Sequence, residues 1–215
     1  MIIAVDGPAG AGKGTLARRL AATLGVAYLD TGLLYRAVGA ELLETGAALD
    51  DMIAAEVVAS GLQAEAVVNH GRLRTEQVAQ AASAVAAMPG VRAALLAFQR
   101  DFAAHPPGGA KGVILDGRDI GTVICPDADL KLYLTASSEA RARRRFEELQ
   151  QAREPSIYAD ILKDVEERDK RDIERAEAPL VPAVDALVID TTHLDADAVY
   201  AQVIEKIDCL RTAQQ

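Results

Sequence analysis

The sequence predicts an α/β protein: a parallel five-stranded core sheet with helices on both faces, in three layers. Three observations carry this. Short apolar runs alternate with longer helical patterns along the 215 residues, which is how parallel sheets are written in sequence. Runs such as Val113-Ile114-Leu115 show no polar alternation, as strands covered on both faces require. A glycine-rich stretch, Gly7-Pro8-Ala9-Gly10-Ala11-Gly12-Lys13-Gly14-Thr15, directly follows the first apolar run and opens the first helical pattern.

In chain order, the strands are expected at Ile2–Asp6, Ala27–Asp30, Gly112–Asp116, Leu130–Leu134 and Ala186–Asp190. Between and after them lie helical patterns at Lys13–Leu24, Leu33–Glu44, Thr75–Ala87, Val91–Ala104, Ser138–Gln151, Ser156–Arg175 and Ala196–Leu210. Residues 105–112, His-Pro-Pro-Gly-Gly-Ala-Lys-Gly, make a plain loop. Two stretches stand out as insertions on this core. The first, about 46–92, is Ala-rich and weakly patterned. The second, about 141–177, is dense in both charge signs with little core material, and charge alone says only a solvated helical hairpin. The core is then 1–45, 93–140 and 178–215. No internal repeat is present.

Composition narrows the function classes. Acidic residues outnumber basic ones 32 to 23, for a net charge of −9. A non-specific nucleic-acid binder needs the opposite surplus to displace counterions. Aromatics are 4%, with no Trp, which weakens any base-stacking platform. Cys125 and Cys209 lie far apart and outside CxxC spacing, so both read as small buried residues. His70, His105 and His193 share no metal-ligand spacing, and no Ser-His-Asp triad is evident. The N-terminus reaches Asp6 too soon for a signal peptide. The Ala81–Phe98 stretch is broken by Pro89, Gly90 and Arg92. A cytoplasmic protein, bound to neither nucleic acid nor membrane, is expected.

The glycine-rich stretch is the strongest signal. Glycines let the backbone adopt positive φ, so that successive N–H groups converge on one anion. The helix N-terminus adds partial positive charge, and Lys13 supplies a full one to the outer phosphates. The strict P-loop places Ser or Thr directly after Lys. Here Gly14 intervenes and Thr15 follows, a variant familiar from nucleoside monophosphate kinases. Such a register arises by chance in about one chain in a few hundred. Thr15 is the candidate hydroxyl for Mg²⁺, directly or through water, with a helix-opening cap as its other reading.

A P-loop alone also serves GTPase switches and ATPase motors. The guanine-reading NKxD loop is absent, since the single Asn, Asn69, precedes His70. The third strand ends Asp116-Gly117 rather than Asp-Glu, so no water-activating residue is evident. That suits a kinase whose acceptor is already a phosphate dianion. Arginines must then hold the acceptor, because two polyanions repel until neutralised. Arg36 and Arg118 follow the second and third strands, at carboxyl ends where open α/β sheets bind ligands. Arg92, Arg144 and Arg145 add to the supply. Arg168, Asp172 and Arg175 are spaced to share one helix face, which suits either a site or intrahelical ion pairs. Arg18, Arg19 and Arg211 read as solvated surface charges.

Over essentially its whole length the chain resembles the bacterial-type cytidylate kinases. The marks are Asp6 through Thr15, Asp30-Thr31-Gly32 with Tyr35-Arg36, Ala81-Ala82-Ser83 with Val91-Arg92, Asp116-Gly117-Arg118-Asp119-Ile120-Gly121-Thr122, and Arg168-Asp169-Lys170-Arg171-Asp172 with Arg175 and Ala178-Pro179-Leu180-Val181-Pro182. The resemblance implies a P-loop NTPase-type core with an NMP-binding insert (about 46–92) and a lid (about 141–177). It implies phosphoryl transfer from ATP to CMP or dCMP, within pyrimidine nucleotide metabolism, by a monomer.

By motif position, Gly7, Pro8, Ala9, Gly10, Ala11, Gly12, Lys13, Gly14 and Thr15 would bind ATP. Ser83, Arg92 and Asp119 would read cytosine, with Thr31 and Arg175 close by. Arg36 and Arg118 would grip the acceptor phosphate, while Asp172 and Arg168 would reach the pentose. Arg144 and Arg145 would come from the lid onto ATP, joining Lys13 and Arg118 as catalytic cations. Two positions and one segment depart from the family's pattern. Thr31 and Ala9 stand where Ser is common, and the segment Ala64–Arg74 is shorter than the usual insert.

Cytosine chemistry agrees with these assignments. A carboxylate such as Asp119 accepts from N4, while Arg92 donates to N3 and O2. Uracil presents O4 at the same place and leaves the carboxylate unpaired. The rival readings are another nucleoside monophosphate kinase, of UMP/CMP or adenylate type, and a nucleotide-regulated binding protein that hydrolyses ATP slowly.

Overall fold

A computed structural model describes residues 1–62, 72–153 and 155–213. Five parallel strands form one sheet: β1 (Ile2–Asp6), β2 (Ala27–Asp30), β3 (Val113–Asp116), β4 (Leu130–Thr135) and β5 (Leu187–Asp190), in the order β2-β3-β1-β4-β5. β1 is central, with Val5 opposite Asp116 of β3 and Leu132 of β4. Successive side chains of a strand point to opposite faces. Here Ile3 and Val5 enter one core cluster and Ala4 another, and Ile114 separates from Val113 and Leu115 in the same way. All four residues of β3 are buried. This is the two-sided burial that an unbroken apolar run implies.

The first face is covered by α1 (Lys13–Leu24) and α8 (Ala196–Ala213), through Leu16 and Leu20 with Val199, Val203 and Ile207. The second meets α5 (Pro89–Ala104), through Phe98, Phe102 and Ala103. The expected three-layer α/β/α arrangement is therefore present. α2 (Gly32–Thr45), α3 (Met52–Ser60) and α4 (Glu76–Val85) pack with α5 in a separate cluster that includes Leu34, Val38, Ala55, Ala82 and Leu95. α2 and α4 approach closely where Gly39 leaves room: a Cβ there would lie 2.9 Å from Ala81 Cβ. α6 (Ser138–Gln151) and α7 (Tyr158–Glu174) form a helical hairpin.

Some expectations need correction. α3 lies inside the stretch that reads as weakly patterned. Its start is fixed by Asp51, whose carboxylate accepts from the amides of Ile53 and Ala54, while Met52, Ile53 and Val57 remain exposed and blur the apolar period. α7 stops at Glu174, so Arg175 is not on the helix: its backbone is extended. A π-helical turn at Ile120–Ile124 follows β3. Cys209 is exposed, although Cys125 is buried as expected. Most of the short insert segment 64–74 lies outside the described residues. No single helix among the described residues is long and apolar enough to cross a membrane.

Candidate active site

The loop between β1 and α1 turns at Gly7, Gly10 and Gly12, with φ of 140°, 78° and 91°. Gly7 also admits close packing, since a Cβ there would sit 1.9 Å from the Leu134 carbonyl oxygen. α1 starts after Gly12 with no side-chain cap, so Thr15 is not a cap. Thr15 is exposed on the first turn. Lys13 is buried and donates from Nζ to the Pro8 carbonyl at 2.8 Å. Burial first, then the charge of Arg118, lowers its pKa to about 7, against the pull of Asp116. Asp116 ends β3, and burial raises its carboxyl to about 6 against the charge of Lys13. A Cβ on Gly14 would lie 3.2 Å from Asp116 Oδ2. The carboxylate thus reaches the first turn of α1, one residue from Thr15.

A cleft of about 970 Å³ opens from this loop, lined among others by Lys13, Thr15, Arg36, Arg144, Arg145 and Arg168. Arg36 donates to the Leu73 carbonyl at 2.7 Å. Arg145 of α6 bridges to Glu76 of α4 at 3.0 Å. Burial, then Arg118, lowers the Arg168 guanidinium to about 10. Arg144 lines the cleft and also reaches the loop backbone. Its Nη1 donates to the Gly10 carbonyl at 3.3 Å and to Thr191 Oγ1 at 3.1 Å, on the carbonyl side of the loop.

Beyond Lys13 lies a buried ionic cluster. Arg118 Nε donates to Asp172 Oδ2 at 3.0 Å, joining the end of β3 to α7. Burial raises the Asp172 carboxyl, but Arg118 and Arg168 more than reverse this and hold it below the usual range. Asp172 therefore pairs across the site with Arg118 rather than only along its own helix. Asp119 is hydrogen-bonded by Arg92 of α5, with Arg175 Nη2 at 3.7 Å from its other oxygen. The Arg92 guanidinium lies over the Tyr35 ring, 5.8 Å from its centroid. Ser83 Oγ is buried and unpartnered among the described residues. The Thr31 hydroxyl donates to the Asp116 carbonyl at 2.8 Å. Arg18 and Arg19 are exposed as expected, and Arg19 pairs with Asp197.

Several residues of the site carry no role from the sequence. Asp6 ends β1 and accepts from the amides of Ile120 and Gly121, both at 2.8 Å. Burial raises its pKa to about 6, against those two hydrogen bonds. Asp6 and Asp116 both sit at carboxyl ends of strands, the signal that could have found them. Arg141, Asp169 and Thr191 gave no comparable signal.

The cytidylate kinase family profile matches residues 3–209. The chain is 59% identical over 203 residues to the cytidylate kinase of Paramagnetospirillum magneticum, covering 94% of this chain and 95% of that one. It is 54% identical to that of Rhodospirillum rubrum, covering 92% of each, and 53% identical to that of Azorhizobium caulinodans, covering 98% and 100%. A crystal structure of an uncharacterized protein from Eubacterium ventriosum shares the fold, with a TM-score of 0.57 at 16% identity, covering 97% of this chain and 98% of that one.

Proposed function

The chain belongs to the cytidylate kinase family, and from that premise we propose how its residues move the γ-phosphoryl group of ATP to CMP or dCMP. It is a phosphotransferase with a phosphate group as acceptor. The observation that carries the assignment of roles is one continuous path of charge. The charge of Arg118 acts on Lys13 of the glycine loop, Arg118 is paired with Asp172, and the adjacent Asp119 is flanked by Arg92 and Arg175.

In this reading the loop amides and Lys13 hold the donor polyphosphate. Arg36 and Arg118, with Arg145 from α6, neutralise the acceptor phosphate and the transferring group. The acceptor is a dianion at neutral pH, so no general base is needed and catalysis is electrostatic. Asp119 accepts from cytosine N4 while Arg92 donates to its acceptor atoms. Ser83, a buried hydroxyl with no partner among the described residues, offers one more hydrogen bond to the base. Thr31 and Arg175 border the same position. Asp172 and Arg168 face the pentose. The hairpin of α6 and α7, acting as a lid over residues 141–177, excludes water that would divert the phosphoryl group. The insert, about 46–92, carries the base-reading Ser83 and Arg92.

The oxygen donors beside Lys13 suit Mg²⁺, a hard cation that keeps waters and phosphate oxygens in its shell. Thr15 and Asp116, directly or through water, would hold it with ATP. A cation held by these residues would supply positive charge to offset that of the phosphates. In this reading the working form is a monomer in the cytoplasm, acting on small nucleotides. The test is ADP release at saturating ATP with and without CMP. A kinase releases ADP only with CMP, whereas equal release without it would mark a nucleotide-regulated ATPase.

A further inference from the structure

All five carbonyls from Pro8 to Gly12 have a donor. Lys13 Nζ holds Pro8 O at 2.8 Å, Arg141 Nη1 holds Ala9 O at 3.1 Å, and Arg144 Nη1 holds Gly10 O at 3.3 Å. Thr191 Oγ1 holds Ala11 O at 3.1 Å, and the Leu16 amide holds Gly12 O at 3.1 Å. In a trans peptide the C=O and the following N–H point in opposite directions. The Ala9, Gly10 and Ala11 carbonyls, drawn toward Arg141, Arg144 and Thr191, therefore turn the amides of Gly10, Ala11 and Gly12 the other way. Among the described residues no protein acceptor takes those amides up. Aligned donors repel one another, and a glycine-rich loop has the freedom to turn them away. Something must hold the arrangement from behind.

Two of the clamps come from side chains with no role in the assignments above. Thr191 follows β5 and is 2% exposed. Its hydroxyl lies 3.1 Å from both Ala11 O and Thr135 O, and because the Thr191 amide already donates to the Thr135 carbonyl at 2.7 Å, Ala11 O is the acceptor that depends on the hydroxyl proton. The same hydroxyl accepts from Arg144 Nη1 at 3.1 Å, which steadies the clamp on Gly10 O. Arg141 is 3% exposed and packs directly on the loop, for a Cβ on Gly10 would lie 3.1 Å from Arg141 Cβ. Its guanidinium is fixed by the Ala136 carbonyl at 2.9 Å and by a two-pronged pair with Asp169 of α7.

We infer that Thr191 and Arg141 are positioning residues for the phosphate-binding loop: they hold its carbonyls outward so that its amides face the donor polyphosphate. Asp169 ties this clamp to the second helix of the hairpin. The inference rests on the reading of the loop as the ATP site, and electrostatic preorganisation of this kind is what phosphoryl transfer uses.

The test compares Thr191→Val, which keeps the shape and loses the hydroxyl, with Thr191→Ser, which keeps the hydroxyl. Inorganic tripolyphosphate, a polyphosphate with no base or sugar, is the probe, read as competitive inhibition against ATP. In Thr191→Val the tripolyphosphate inhibition constant and the ATP KM should both rise about three- to tenfold, the effect of one lost hydrogen bond. The CMP KM should stay within about twofold, and Thr191→Ser should restore the other two. Arg141→Lys, which loses the fork, should give the same split if the valine variant folds poorly. A raised ATP KM with unchanged tripolyphosphate inhibition would place Thr191 on the nucleoside instead. An equal rise in CMP KM would reduce it to general packing. If tripolyphosphate fails to compete with ATP in the unaltered protein, the donor-site reading itself falls.

Discussion

Asparagine at position 119 keeps the shape of the side chain and removes a negative charge that is 4% exposed. Asp119 stands between Arg92, which hydrogen-bonds one oxygen, and Arg175, 3.7 Å from the other. A carboxylate has about four lone-pair positions, so the pair leaves room for the N4 donor of cytosine. Losing a charged acceptor for that donor costs roughly 1.5–3 kcal/mol, or about ten- to over a hundredfold in kcat/KM for CMP. The amide oxygen of Asn could rotate to accept from N4, which would soften the loss. Two guanidinium groups compete for that single oxygen, however, and this moves the expected loss toward the upper end. UMP should lose less, or gain, because its O4 accepts from the new amide. Stability should fall as well. Removing one partner of a buried pair costs about 3–5 kcal/mol, and less where an acceptor remains. The assay is initial-rate ADP release with CMP and with UMP, beside a thermal unfolding scan. If both substrates lose the same factor, Asp119 merely holds Arg92 and Arg175 in place, and the base-reading argument is refuted.

Two further outcomes follow from the same cluster. Burial and the charge of Arg118 lower the Lys13 pKa to about 7, and a bound polyphosphate favours the ammonium. ATP binding at pH 8 should therefore take up a proton, and affinity should weaken as pH rises above 7. Calorimetry in buffers of different ionisation enthalpy reads this. Lys13→Ala should erase the uptake and nearly abolish turnover, and a mild loss at saturating ATP would contradict the donor-site assignment. Asp172→Ala should release Arg118, lowering the thermal midpoint, and should hurt CMP more than an analogue lacking the sugar hydroxyls. Equal losses for the two would leave Asp172 only its hold on Arg118.

The core was legible because its determinants are local. β1, β3 and the glycine loop are unbroken apolar runs and a spaced motif, and the structure places them where those patterns imply. α3 was not, because Met52, Ile53 and Val57 face outward and erase the period that would reveal it. The i, i+4, i+7 spacing put Arg168, Asp172 and Arg175 on one helix face, whereas only Arg168 and Asp172 share α7. It could not show that the helix ends at Glu174, or that Asp172 meets Arg118 from 54 residues away. Arg144 shows the same limit: its motif position suggests a place beside ATP, and nothing local announces that its guanidinium also bonds Thr191 and the Gly10 carbonyl. Long-range partners such as Thr191, 180 residues from Ala11, leave no mark in local sequence.

The most direct test of the central claim is kcat/KM for ADP formation at saturating ATP with CMP, dCMP, UMP and AMP as acceptors. A site in which Asp119 meets N4 and Arg92 meets the acceptor atoms predicts that CMP and dCMP exceed UMP and AMP by about tenfold or more. A preference for AMP or UMP would contradict it.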